Sequence, residues 1–190
     1  MCGFLSAIVL RNGDVLMHPF LDSHADLAAY FRVPDTSSSL QPFAKVELVP
    51  SDNWLDPSSW VFRLDEETAP RWWGDVKNGA EQTLRDRATQ MVLRAGRVPI
   101  LCDGVWILGG DAVVQSVRLG ARIVRVQDEA QIHNVGGGTF SGVRGGTFSD
   151  VWGGTFSGVR GGTQIRPLDG RARDLVLDDS ARAHLVARTG

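Results

Sequence analysis

The polar residues of a short repeat have types and spacing that suit ligand binding. Between Gly137 and Thr163 an eight-residue unit reads GGTFSGVR, GGTFSDVW, GGTFSGVR and then GGT. Each full unit offers hydroxyl groups at its third and fifth positions and a large side chain at its eighth. The candidate binding residues are therefore Thr139, Ser141, Arg144, Thr147, Ser149, Trp152, Thr155, Ser157 and Arg160.

The two repeat arginines are the strongest candidates for a charged site. If two units form one turn of a stack, Arg144 and Arg160 lie on adjacent turns, about 4.8 Å apart along the stack. Like charges at that distance are destabilising unless something compensates them. Two interpretations stay open: both guanidinium groups extend into screened solvent, or they bind an anion through paired hydrogen bonds. The anion would be an acidic glycan, a nucleotide or an acidic loop of a second copy.

Metal and catalytic signatures give no comparable signal. The four histidines, His18, His24, His133 and His184, form no pair at metal-ligand spacing, and the sequence has no CxxC. It also lacks a phosphate-binding glycine motif and a GxSxG nucleophile motif. We therefore predict no metal, no cofactor and no assigned catalytic residue. Two distant cysteines indicate no disulfide framework, which favours the cytoplasm.

The phase of the repeat predicts its architecture. Thr-Phe-Ser places Phe on one face of a strand, and Gly-Gly permits a sharp corner. The sixth and eighth positions alternate between successive units, so the period is sixteen residues, as in a narrow two-sided β-solenoid. Ile132 and Val135 keep this phase upstream, whereas Gln164 and Pro167 break it downstream. We predict two to two and a half turns over residues 129–165. The inward residues are Phe140, Phe148, Phe156, Val143, Val151 and Val159.

The segment before the repeat is typical of an α+β domain. Asn12-Gly13 predicts a hairpin turn, and Ser23 and Asn78 each predict a helix start. The second helix is predicted to end at Gly96, with a buried stripe of Leu84, Ala88, Met91, Val92 and Ala95. Alternating residues over 43–49 and 60–66 predict two strands with one apolar and one charged face. A meander is predicted over 99–126. The predicted domains are 1–112 (an antiparallel sheet with two helices on one face), a connecting β segment 113–128, the solenoid 129–165, and a C-terminal cap 166–190.

Charge and hydropathy restrict the partners. The net charge is −2, so we expect neither nucleic acid nor an anionic membrane to be attracted. No apolar run of about eighteen residues is present, so no membrane-spanning segment is predicted. Residues 1–112 have ten Lys/Arg and fifteen Asp/Glu, giving −5, and residues 113–190 have ten Arg and seven Asp/Glu, giving +3. This asymmetry favours a second copy of the chain, or another protein, as the partner.

Two resemblances bear on these expectations. The opening MCGFLSAIVLRNGDVL, the segments DSHADL, FAKVEL and WVFRLDEE, and the GGTFSGVR units resemble a group of uncharacterised bacterial and phage proteins. That resemblance implies an α+β segment followed by octapeptide repeats, and a virion location if the chain is phage-encoded. Met1-Cys2-Gly3-Phe4 resembles the start of class II glutamine amidotransferases, whose N-terminal Cys is the nucleophile. The second resemblance covers four residues, and the alternative is that Cys2 begins a buried strand.

The combined pattern predicts a non-enzymatic binding or self-assembly protein whose solenoid is the interaction surface. One alternative is an enzyme in the α+β domain with the solenoid as an oligomerisation device. Another is an ice-binding or glycan-binding solenoid that uses Thr-x-Ser ladders.

Overall fold

A computed structural model describes residues 5–34, 42–168, 174–182 and 185–186. The predictions that concern Cys2 and His184 lie outside these residues. The chain divides into two compact units, residues 1–90 and 91–190. Within the described residues, no helix combines the length and the apolar character needed to cross a membrane.

The first unit contains a four-stranded antiparallel sheet and two helices, as the sequence predicts. The sheet order is β2-β1-β3-β4. Its elements are β1 (Leu5–Leu10), β2 (Val15–Leu16), α1 (His24–Phe31), β3 (Phe43–Val49), a 3-10 turn (Pro57–Ser59), β4 (Val61–Leu64) and α2 (Trp73–Met91). Ser23 caps α1, since its hydroxyl accepts a hydrogen bond from the Asp26 N–H.

The two helices cover opposite faces of this sheet, so the prediction of one shared face is wrong. In α1, Leu27 packs with Ile8 and Phe43. In α2, Trp73 stacks on Phe62 with ring centroids 6.1 Å apart. The register of β1, β3 and β4 places Ile8 and Phe62 on opposite faces. The strand face that looks charged in β3 and β4 is apolar in β1, and α1 covers it.

Helix α2 differs from its predicted bounds at both ends. It begins at Trp73 rather than at Asn78, and it ends at Met91 rather than at Gly96. Val92 and Ala95, expected on its buried stripe, lie beyond it, and Val92 begins the first strand of the second unit. The buried stripe consists of Trp73, Ala80, Leu84, Ala88 and Met91.

The second unit is a two-sided β-solenoid of about five turns. Its parallel strands alternate between an odd-strand sheet, in the order β15-β13-β11-β9-β7-β5, and an even-strand sheet, in the order β14-β12-β10-β8-β6. The strands are β5 (Val92–Leu93), β6 (Arg97–Val98), β7 (Val105–Leu108), β8 (Val113–Val114), β9 (Arg122–Val126), β10 (Gln131–Ile132), β11 (Gly136–Phe140), β12 (Thr147–Val151), β13 (Gly153–Phe156), β14 (Gln164–Pro167) and β15 (Asp174–Leu177). A short helix, α3 (Asp179–Arg182), follows.

The solenoid therefore begins at Val92 rather than near Glu129, and the predicted count of two to two and a half turns is too low. The predicted meander over 99–126 is a set of parallel coils. The segment predicted as a connection, 113–128, supplies β8 and β9. Aliphatic residues replace the repeat phenylalanines there: Ile123 pairs with Phe140, and Val114 pairs with Ile132. The upstream turns thus share the geometry of the repeat without its sequence.

The core of the repeat follows the predicted phase. Phe140 pairs with Phe156, and Ile132 pairs with Phe148, so one turn takes sixteen residues. The rings of Phe140 and Phe156 stack face to face at 4.4 Å, and the ring of Phe148 meets both edge-on from the opposite sheet. Val143, Val151 and Val159 are also buried.

The corners of the repeat use backbone in the left-handed region. The sixth position of each unit has positive φ, with Asn134 at 46°, Gly142 at 58°, Asp150 at 54° and Gly158 at 62°. Gly, Asn and Asp are the residues that tolerate this conformation. The second glycine of the pair is also constrained: at Gly146, φ is 84°, and an added Cβ would lie 2.8 Å from the Ala130 carbonyl oxygen.

The stack continues beyond the point where the sequence phase fails. Ile165, rather than Gln164, pairs with Phe148, so one extra residue is absorbed at the preceding corner. Above it, the Gly158 N–H donates to the Asp178 carboxylate, and the Val159 N–H donates to the Ser180 hydroxyl. The described part of residues 166–190 thus contacts the backbone of the last repeat corner, as a cap would.

Candidate functional site

The repeat threonines lie on both sheets of the solenoid. Thr139 and Thr155 are paired neighbours on the odd-strand sheet, and both are exposed. Arg122 and Val176 continue this column on either side, so only two threonines follow one another. Thr147 lies on the even-strand sheet between Gln131 and Gln164. An unbroken threonine ladder, as an ice-binding surface would need, is not formed by these columns.

The repeat serines are half-buried, and two of them take part in contacts within the stack. Ser149 Oγ lies 2.7 Å from Nδ1 of His133, one turn below. Ser157 Oγ donates to the Phe140 carbonyl oxygen at 3.4 Å. Ser141 lies on the same side as Ser157, next to the strand that carries Thr139. These hydroxyls therefore support the turns as well as facing outward.

Trp152 lies on the corner opposite the repeat arginines. Its N–H donates to the Val135 carbonyl, and its indole packs against Gly136, where a Cβ would lie only 2.5 Å from a ring carbon. The side chain remains 38% exposed. Leu119 packs against the adjacent Gly137 from the turn below. Trp152 thus forms a small apolar corner with Leu119, and the structure does not bring it to the arginines.

Arg144 and Arg160 lie on one corner at adjacent turns, as predicted. The Arg144 N–H donates to the Val126 carbonyl, and the Arg160 N–H donates to the Val143 carbonyl. Both side chains are exposed. We call these two residues, together with Arg125 below them, the basic corner.

Arg125 is the member of the basic corner that the sequence did not reveal. Its side chain passes next to Gly142, and its Nε donates to Gln127 at 3.2 Å. Burial lowers the pKa of Arg125, and the charge of Arg144 lowers it further, while Asp128 opposes both. Arg125 precedes the exact repeat, so only the stacking of turns could have indicated it.

A second polar cluster lies in the α+β unit, between α1 and the sheet. Glu47 of β3 is fully buried, and one of its oxygens accepts hydrogen bonds from Arg63, through Nε at 2.8 Å and through Nη2. The hydrogen bond from Arg63 to Glu47, followed by the charge of that carboxylate, raises the pKa of Arg63. This charge-assisted pair links the neighbouring strands β3 and β4.

His24 completes this cluster. It is the first residue of α1, and its side chain is 6% exposed. Its Nε2 lies 3.0 Å from the Val46 carbonyl oxygen, and its Nδ1 lies 3.1 Å from Oδ2 of Asp65. One ligand-type atom each from His24, Glu47 and Asp65 falls within 4.8 Å of the others. The sequence did not predict this cluster, because its members are far apart in the chain and α1 was not placed over this face.

Comparisons with protein-family models, with curated proteins and with solved structures found no match to this chain.

Proposed function

We propose that this protein is a non-enzymatic binding and self-assembly protein that uses its solenoid as the interaction surface. The observation that carries the proposal is the basic corner, where two exposed arginines lie on adjacent turns and the charge of Arg144 acts on Arg125. Like charges stacked in this way are stabilised by an anion. Guanidinium groups suit carboxylate and phosphate groups because they offer several donors in a fixed plane.

The charge distribution favours a second copy as the source of the anion. Residues 1–90 have eight Lys/Arg and thirteen Asp/Glu, giving −5, and residues 91–190 have twelve Arg and nine Asp/Glu, giving +3. Every basic residue of the solenoid unit is arginine. An acidic surface of the α+β unit of one copy would therefore complement the basic corner of another. Such a contact produces a homo-oligomer with strong salt dependence.

The cellular setting follows from the same proposal. With two distant cysteines and no predicted need for disulfides, the cytoplasm suits the chain. A virion-associated role follows if the protein is phage-encoded, because repetitive solenoids suit assembled particles.

The test is a charge reversal at the basic corner. We expect the wild type to form an oligomer larger than its 20.7 kDa chain at low salt. The pair Arg144→Glu and Arg160→Glu should weaken self-association at least about tenfold, or about 1.4 kcal/mol. Analytical ultracentrifugation at micromolar concentration measures this, and high salt should mimic the variant.

A matched control changes the same charge elsewhere on the solenoid. Arg97 and Arg118 are also exposed, so Arg97→Glu with Arg118→Glu alters net charge equally. The control should keep the wild-type oligomer. If the wild type is a monomer at low salt, self-assembly is rejected. If the corner variant keeps the oligomer, the basic corner is not its interface.

A further inference from the structure

We propose that His24, Glu47 and Asp65 form a binding site for one divalent transition-metal ion of the zinc class. This site lies in the α+β unit and is independent of the basic corner. The three residues come from α1, from β3 and from the residue that follows β4. Two of them, His24 and Glu47, are buried, and Asp65 is exposed.

The orientation of the His24 ring is the first argument. The Val46 carbonyl can only accept a hydrogen bond, so Nε2, at 3.0 Å, must carry a hydrogen. The lone pair of a neutral ring is then on Nδ1, which faces the Asp65 carboxylate at 3.1 Å. Two acceptors at this distance repel each other unless a cation lies between them. A backbone carbonyl that fixes the opposite ring nitrogen is also the usual support of a metal-bound histidine.

The convergence of a second carboxylate is the second argument. A simple contact between a histidine and an aspartate involves one carboxylate. Yet Glu47, although it is fully buried and paired with Arg63, also places an oxygen within 4.8 Å of the other two ligand atoms. Arg63 bonds to one oxygen of Glu47, and a carboxylate has about four lone-pair positions in all. Three ligands from three elements around one point are typical of a metal site.

The distances allow closure around a small ion. Zinc bonds to nitrogen and oxygen are about 2.0–2.2 Å long, which places ligand atoms about 3–3.5 Å apart. The 3.1 Å separation between His24 and Asp65 already fits. Glu47, which lies within 4.8 Å of the other two ligand atoms, would have to come closer, and Asp65, which is 46% exposed, has room to adjust. One imidazole with two carboxylates favours zinc over magnesium or calcium, which prefer oxygen ligands alone.

The experiment treats the full chain with a chelator, removes the chelator, and then titrates the chain with zinc in an isothermal titration calorimeter. We expect one zinc ion per chain, and we expect Asp65→Asn to weaken binding at least tenfold. The matched control is Glu67→Gln, which neutralises an exposed acid two residues away and should bind as the wild type does. Circular dichroism checks that the variants are folded.

A second readout needs no substitution. In the wild type, zinc should shift the imidazole NMR signals of buried His24 and leave those of half-buried His18 and His133 in place. The proposal is overturned if the wild type binds no stoichiometric zinc at micromolar concentration, if Asp65→Asn binds zinc unchanged, or if only histidines other than His24 respond.

Discussion

The solenoid and the α+β unit differ in the kind of side chain that they bury. Among the described residues, the solenoid unit buries a single polar side chain, that of Thr163, whereas the α+β unit buries Ser6, His24 and Glu47. In a stack, an inward position recurs on every turn, so a buried charge would lie next to its own copies. The α+β unit has no such recurrence, and one carboxylate can find one arginine. Repetition thus favours stacking of like apolar groups, and irregular sequence allows a buried site.

The largest loss of stability is expected when a ring is removed from the aromatic stack of the solenoid. Phe148→Ala should lower the free energy of unfolding by about 3–5 kcal/mol, because the buried ring meets two others edge-on. Urea unfolding followed by circular dichroism measures the loss. Phe20→Ala is the matched change at a ring that is 43% exposed in the α+β unit, and it should cost below about 1 kcal/mol. Equal losses would contradict the stacked core.

In the buried ion pair of Glu47 and Arg63, loss of the arginine should destabilise the fold more than loss of the carboxylate. Arg63→Met leaves the buried Glu47 carboxylate without its arginine and should cost about 2–3 kcal/mol, measured with chelator present. Glu47→Gln leaves a half-exposed guanidinium that water can solvate, and it should cost about 1 kcal/mol. The comparison of the two unfolding midpoints is the measurement. A larger loss for Glu47→Gln would show that the carboxylate is not the group that needs compensation.

A glycine substitution at a solenoid corner should cause a stability loss of intermediate size. Gly146→Ala should cost about 2 kcal/mol or more, because φ is positive and the new methyl group would meet the Ala130 carbonyl. Gly162→Ala is the control, since nothing lies within 4 Å of its added Cβ. Thermal unfolding should separate the two variants clearly. Similar melting temperatures would show that the corner can relax.

The smallest effect has the opposite sign. Gly79 lies within α2, and an added Cβ meets nothing within 4 Å. Gly79→Ala should therefore stabilise the α+β unit by about 0.5–1 kcal/mol, because it lowers the backbone entropy of the unfolded chain. Thermal unfolding again measures it. A destabilised variant would indicate a contact on this helix face.

The sequence allowed prediction of features that a local pattern determines. The phase of Phe140, Phe148 and Phe156 was sufficient for the two-sided solenoid, since exact repeats must occupy equivalent positions. Ser23 was sufficient for the start of α1. The alternation of Arg144 with Trp152 was sufficient to place them on opposite corners.

Features that arise from packing, and that no exact sequence repeat marks, could not be predicted. The first turns of the solenoid stack on aliphatic residues such as Ile123, and their one glycine pair, Gly109-Gly110, is not followed by Thr-Phe-Ser. Prediction of the His24 cluster would have required two facts that the sequence does not give: which face of the sheet α1 covers, and the register between β3 and β4. Glu47 and Asp65 look like ordinary solvent-facing residues on alternating strands, and only packing shows that Glu47 is buried.

The two-unit turn has a consequence for how this chain can change length. Because successive octads alternate between sheets, removal of sixteen residues, such as 145–160, deletes one full coil and returns the chain to the same sheet. Removal of eight residues would exchange the sheets for every residue that follows, and it would bring the end of the stack to the wrong corner. Tandem duplication or loss in the coding DNA should therefore be tolerated in pairs of octads, and natural length variants should differ from this chain by an even number of octads.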